Sequence, residues 1–188
     1  MAHALDRHLA LIGFMGAGKT TLGTEVAQRL ERRFVDLDRE LEETAQAPVP
    51  QLFETVGEEG FRAMEAEQTL AALRHSMPAV LALGGGAVET PAVRRALGEH
   101  ALTVLIDVDA ETAWERAGGS DRPLARDEGS FRALHAKRQP LYRGSADAVA
   151  GVCFSSAAET GSTNNANSAA TSARKPAALA VPDEQRWM

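Results

Sequence analysis

The chain has a single cysteine, Cys153, in 188 residues. A lone cysteine makes no internal disulfide, which fits a reducing compartment, and the thiol reads as a small buried hydrophobe. No run of about 18 apolar residues is present, so no membrane-spanning helix is expected. The first eight residues are polar and lack the apolar core of a signal peptide, so the expected location is the cytoplasm. Aromatic residues make up only 5% of the chain, which leaves Leu, Val and Ala to fill the core. Positive charge is also short: 20 Lys and Arg stand against 26 Asp and Glu, a net charge of -6. Such a chain repels a phosphate backbone, which argues against nucleic acid as a partner, although local arginines can still hold a small anion.

What is present suffices for one domain. The hydrophobic fraction is 44%, and the length fits a single core. Short apolar runs at 9–12, 34–38, 79–83, 102–107 and 148–154 read as about five buried strands. Helical stretches alternate with them, at 20–32, 38–45, 60–73, 109–117 and 131–139, with another starting at Thr90-Pro91. Pro48 and Pro50 are expected to interrupt a helix and Pro140 to stop one, with a charged surface loop over 119–129. The alternation predicts an α/β fold: three layers, with a central parallel sheet between helices. From Ser155 to Lys175 the chain has eight Ser or Thr, six Ala, three Asn and no large apolar residue. Such a stretch buries too little to offset its ordering entropy. The domain is therefore expected over 1–154, with 155–188 a disordered tail.

The strongest local signal follows the first strand. Gly13-Phe14-Met15-Gly16-Ala17-Gly18-Lys19-Thr20 matches G-x-x-x-x-G-K-[ST] between a strand and a helix. Its glycines let main-chain N–H groups turn toward phosphate oxygens, and the next helix adds its positive end. Lys19 is placed to reach the β- and γ-phosphates, and the Thr20 hydroxyl to ligate Mg²⁺. The motif points to a nucleotide and leaves the acceptor open, because NTPases, switches and kinases share it.

Other signals are ambiguous one at a time. Asp36 and Asp38, two apart at a strand end, would point the same way on a regular strand and suit a magnesium shell and a hydroxyl partner, or be merely solvated acids. Arg62 and Glu65 are neighbours on one helix, as in any surface ion pair. Gly84-Gly85-Gly86 allow close approach of a ligand, or form a flexible turn. Arg122-Pro123-Leu124 lies in the charged loop, and the Lys137-Arg138 pair is also what a helix C-terminus favours.

The order of these segments carries more. Gly-Phe-Met-Gly-Ala-Gly-Lys-Thr-Thr (13–21), Asp-Leu-Asp (36–38), Phe-Arg-x-x-Glu (61–65), Gly-Gly-Gly-Ala-Val (84–88), Arg-Pro-Leu (122–124) and Arg-Gln-Pro-Leu-Tyr (138–142) together resemble the shikimate kinases, over roughly residues 8–143. The resemblance implies a P-loop kinase with a lid and substrate-binding helices. It implies transfer of the γ-phosphoryl of ATP to the 3-hydroxyl of shikimate, in the pathway to chorismate and the aromatic amino acids, with Mg²⁺ as cofactor. Gly13, Gly16, Ala17, Gly18, Lys19, Thr20, Thr21, Arg116 and Arg122 would then bind ATP, Arg116 stacking on adenine and Arg122 closing over the phosphates. Thr20 and Asp36 would serve the metal. Asp38 would bind the acceptor hydroxyl and take its proton. Arg62 and Arg138 would grip the substrate carboxylate, Glu65 would orient Arg62, and Gly84, Gly85 and Gly86 would line the ring. Lys19, Asp38 and Arg122 are the expected catalytic residues, in a protein expected to be a monomer. The rival readings are a related kinase of another polyol or sugar acid and a non-catalytic binding module. Past Phe154 the chain departs from the family, whose members continue with a strand, a Pro-containing adenine loop and a closing helix.

Overall fold

A computed structural model describes residues 6–118 and 127–151. Its centre is strand β1 (His8–Ile12), whose Ala10, Leu11 and Ile12 are almost wholly buried. Strands buried on both faces read as continuous apolar runs, and this is why the run at 9–12 lies in the middle. Around it lie β2 (Phe34–Asp36), β3 (Val80–Ala82), β4 (Ala101–Asp107) and β5 (Ala148–Gly151). The five strands form one sheet in the order β2-β3-β1-β4-β5, with every pairing parallel. Helices α1 (Lys19–Arg29), α2 (Leu37–Ala45), α3 (Val49–Leu73), α4 (Pro91–His100), α5 (Ala110–Ala117) and α6 (Glu128–Ser145) cover it. This is the three-layer α/β/α arrangement expected from the alternation. The core is mostly Leu, Val, Ile and Ala, with Phe14, Phe131 and Tyr142 as its large aromatic members. A second, smaller cluster of Leu41, Leu52 and Phe61 joins α2 to α3.

The order of the sheet places the chemistry. Strand β1 runs between β3 and β4, so the loops that follow β1, β2 and β3 all emerge at the same carboxyl edge. Those loops and helix starts contain Gly13 to Thr20, Asp36 to Asp38, and Gly84 to Gly86.

Three local expectations are corrected. Asp36 and Asp38 do not share a strand: β2 ends at Asp36, which caps α2, its carboxylate accepting from Arg39 N at 3.4 Å. Asp38 therefore sits in the first turn of α2, because an Asp at a strand end is also a good helix cap. Pro48 and Pro50 start a helix instead of interrupting one. Proline is tolerated where helical N–H groups have no partner, so α3 begins at Val49 and bends once at Gly57 (φ 72). Pro140 does not stop α6, which runs on to Ser145. Proline inside a helix costs about 3 kcal/mol, but the turn around it carries Arg138 and Tyr142, both essentially inaccessible. Their packing and hydrogen bonds hold the helix through the missing N–H. The helix also begins earlier than expected, capped by Asp127, whose carboxylate accepts from Ser130 N at 2.7 Å. Arg122 and most of the charged loop, Cys153, the end of the last strand, and the tail from 155 lie outside the described residues.

Candidate active site

The loop between β1 and α1 has the shape its glycines were expected to allow. Gly16 and Gly18 take φ values of 80° and 90°, which side chains with a Cβ adopt only at a cost. Gly16 also has no room for a side chain: a Cβ there would lie 2.7 Å from the Ala113 carbonyl of α5. Ala17 is fully buried, and its N–H donates to Phe14 O at 3.2 Å. The Lys19 ammonium curls back over the loop and donates to Gly13 O at 2.8 Å and Phe14 O at 3.1 Å. Thr21 lies beside Thr20 on the same cleft wall. Arg116, on α5, reaches over the loop and donates to Gly16 O at 3.4 Å, at the outer edge of the phosphate end.

Next to the loop is an open cleft of about 250 Å³, lined by Lys19, Thr20, Asp36 and Asp38. The Thr20 hydroxyl donates to Asp36 Oδ2 at 2.6 Å. A hydroxyl and a carboxylate held together beside a phosphate loop fit Mg²⁺, which takes one or two protein oxygens and completes its shell with phosphates and water. Among the described residues no group of three or more His, Cys, Asp or Glu could hold a metal, and a P-loop site needs none.

The acceptor side gathers residues far apart in sequence. On α3, Arg62 Nη1 donates to Glu65 Oε2 at 2.6 Å, and the guanidinium lies over the Phe53 and Phe61 rings at 5.8 and 5.3 Å. Arg62 is 18% exposed and Glu65 5%, so this is no surface ion pair. Burial pushes the Glu65 carboxyl above its ordinary pKa; Arg62 draws it back in part, and the charge of Asp38 adds to the rise. The triple glycine stands where these groups meet. A Cβ on Gly84 would collide with the Glu65 carboxylate and lie 2.5 Å from Asp38 Oδ1, and one on Gly86 would collide with the Arg62 guanidinium. At Gly84 and Gly86 a side chain would have to displace these charged groups, which favours glycine by close approach, while Gly85 has room. Gly85 faces the last element, α6. Its carbonyl accepts from Tyr142 Oη at 2.6 Å, and Arg138 Nη1 lies 3.7 Å from where its Cβ would be.

Arg138 is only 1% exposed, and it too is already paired. Its Nη2 and Nε both donate to Glu89 Oε2, at 2.7 and 3.2 Å. Glu89 belongs to the short 3₁₀ turn Ala87–Glu89 behind the triple glycine. Burial alone would raise its pKa, but hydrogen bonds and charge from Arg138 and Lys137 outweigh this, and the carboxyl lies below its ordinary value. Burial pushes the Tyr142 phenol far above its usual range, so it stays a donor. The structure thus brings together Lys19, Thr20, Asp36, Asp38, Arg62, Glu65, Gly84, Gly85, Gly86 and Arg138. It leaves Arg116 at the rim. Glu89 and Phe14 were not singled out in the sequence. Phe14 is buried beneath Arg138, whose guanidinium carbon is 6.0 Å from the ring centre. The only hint of Glu89 was its place directly after the Gly-Gly-Gly-Ala-Val segment.

A parallel sheet in this order, with a glycine phosphate loop after its central strand and paired acids beside it, defines a P-loop kinase fold. Comparison with known proteins narrows the class. The shikimate kinase family model matches residues 15–163, further along the chain than the segments that carry the sequence resemblance. A shikimate kinase of Nitrobacter winogradskyi is 45% identical over 147 residues, covering 76% of this chain and 68% of that protein. One from Aromatoleum aromaticum is 42% identical over 145 residues, covering 75% and 82%. The structure of an Acinetobacter baumannii shikimate kinase in complex with shikimate superposes with a TM-score of 0.74 at 34% identity, covering 81% of this chain and 86% of that one. The chain belongs to the shikimate kinase family.

Proposed function

We propose that the protein transfers the γ-phosphoryl group of ATP to the 3-hydroxyl of shikimate, a step toward chorismate and the aromatic amino acids. The observation that carries this reading is the acceptor pocket. Two arginines, the half-buried Arg62 and the buried Arg138, approach one glycine corner, with Asp38 against the same corner and the phosphate loop beside it. Shikimate presents one carboxylate and three hydroxyls. Guanidinium forks match a carboxylate in shape and charge, and Asp38 is the acid nearest both the clamp and the phosphates.

Each residue then has a task. Main-chain N–H groups of Gly16 to Thr20 wrap the phosphates, and Gly13 lets the chain turn away from β1. Lys19 moves from the loop carbonyls to the β- and γ-phosphates. Thr20 and Asp36 would hold Mg²⁺, which when bound neutralises phosphate charge. Asp38 accepts the hydrogen bond of the 3-hydroxyl and takes its proton as the oxygen attacks. Alignment and charge stabilisation do most of the work in phosphoryl transfer. Arg122, in the lid sequence, closes over the phosphates and helps exclude water, which would otherwise hydrolyse ATP. Arg116, at the rim near Gly16, packs on the adenine. The protein works as a cytoplasmic monomer; among the described residues, no helix is long and apolar enough to cross a membrane.

A coupled assay tests the reading. ADP release with ATP and Mg²⁺ should depend on shikimate and remain at background with gluconate or quinate. Equal turnover with gluconate would transfer the protein to another acceptor class, and no turnover with any of the three would favour a binding role.

A further inference from the structure

The two arginines of the acceptor pocket have parallel surroundings. Arg62 is held by Glu65 from its own helix. Arg138 is held by Glu89, 49 residues away in sequence. We infer that Glu89 is the positioning residue of Arg138, gripping one edge of its guanidinium so that the opposite end is offered to the substrate carboxylate at Gly85. This rests on the carboxylate-clamp reading above.

The geometry divides the guanidinium in two. The Nε and Nη2 edge is taken by a single oxygen, Glu89 Oε2, at 3.2 and 2.7 Å. The Nη1 end points to the glycine corner: the Cβ position of Gly85 lies 3.7 Å from Nη1 and 3.8 Å from Met15 N in the phosphate loop. A guanidinium offers five N–H donors in a planar fork, so one carboxylate on one edge leaves donors for a second. Glu89 is itself fixed from three directions. Its N–H donates to Gly86 O at 2.8 Å. Arg94 Nη1, from α4, donates to Val88 O at 2.7 Å and Glu89 O at 2.9 Å. Its other carboxylate oxygen accepts from Lys137 Nζ at 3.1 Å. The same turn therefore sets the glycine corner and the carboxylate that aims Arg138 at it.

Charge gives the arrangement a purpose. A guanidinium as buried as Arg138 is costly without a counter-ion. Glu89 supplies one in the substrate-free enzyme, and it remains an anion because Arg138 and Lys137 stabilise its charge. Lys137 is 70% exposed, and its pairing with Glu89 adds little.

The test is equilibrium binding of shikimate and of its methyl ester, which lacks the negative charge, to the full chain with and without an ATP analogue. Wild type should prefer shikimate strongly. Glu89→Ala should weaken shikimate binding by about tenfold, within what a hydrogen bond to a charged group is worth, and leave the ester nearly unchanged. Glu89→Gln keeps an acceptor oxygen and should recover part of the loss, and it serves alone if the alanine variant does not fold. Lys137→Ala should change shikimate affinity less than about twofold. Equal losses for acid and ester would reduce Glu89 to a structural role. Tighter shikimate binding in Glu89→Ala would make it a competitor for Arg138, and would also overturn the inference. A wild-type protein that does not distinguish acid from ester would instead defeat the clamp itself.

Discussion

At the phosphate end of the cleft, most of the proposed binding groups come from the consecutive residues Gly13 to Thr21 and one neighbouring carboxylate, Asp36. At the acceptor end, Asp38, Arg62, Glu65, Gly84 to Gly86, Glu89 and Arg138 arrive from α2, α3, the turn after β3 and α6. On the proposed reading the phosphate end binds with main-chain N–H groups and the Lys19 side chain, all set by one local loop. The acceptor end, on the same reading, binds with side-chain charges, and in the structure each arginine is already paired with a carboxylate. A loop that holds phosphates can be built locally and reused by many enzymes. A pocket that selects one carboxylated ring must be assembled from distant parts, and each buried charge in it requires its own partner.

That contrast predicts different responses to damage. Lys19→Ala should have the largest effect, lowering kcat by about 10³-fold or more, since it removes the charge proposed to reach the transferring group. The circular dichroism spectrum should not change, and near-normal turnover would refute the phosphate-loop assignment. Asp38→Asn should lower kcat by about 10²- to 10⁴-fold, the range for general-base catalysis, with ATP binding kept. If it altered only the magnesium dependence, Asp38 would belong to the phosphate end. Arg62→Ala should weaken shikimate binding by about 2–5 kcal/mol, because it leaves the substrate carboxylate buried and unpaired. Calorimetry should show a much smaller loss for ATP, and equal losses would erase the distinction between the two ends.

The glycine corner and the carboxylates give subtler tests. Gly84→Ala should cost about 1–3 kcal/mol of stability, as overpacking usually does, and should raise the shikimate KM more than the ATP KM. A variant with wild-type denaturation and kinetics would show that Glu65 and Asp38 give way easily. The smallest effect is in the pH dependence of stability, where the two carboxylates have opposite signs. Glu89 has a lowered pKa, so its contribution is present above the ordinary carboxylate value and is lost as pH falls through the lowered one. Glu65 has a raised pKa, so its charge costs stability at neutral pH, and acid relieves that cost as pH falls through the raised value. Denaturant unfolding from pH 7 down to about pH 3, below the lowered value, should show wild type gaining on Glu65→Gln and losing ground to Glu89→Gln. Parallel curves for all three proteins would dissolve the difference.

The sequence by itself determined the sheet, the phosphate loop and the identity of most residues in the cleft. Apolar runs of strand length, a glycine-rich turn with Lys19 and Thr20, and a helix start at Thr90-Pro91 are local signals, and they were legible because their physics is local. Other signals misled for the same reason. Pro140 breaks a helix by every local rule, yet α6 continues because Arg138 and Tyr142 are buried on either side of it. Asp38 looked like a strand residue because nothing nearby in sequence reveals that Asp36 caps a helix and receives the Thr20 hydroxyl. Only the tertiary structure decided which carboxylate answers which arginine. Arg62 meets its partner three residues along one helix, within reach of sequence periodicity. Arg138 meets Glu89 across 49 residues, and that pairing exists only because the sheet brings the turn after β3 against α6. Burial then makes the pairing obligatory, since a guanidinium removed from water must be neutralised by whatever acid the fold has placed beside it.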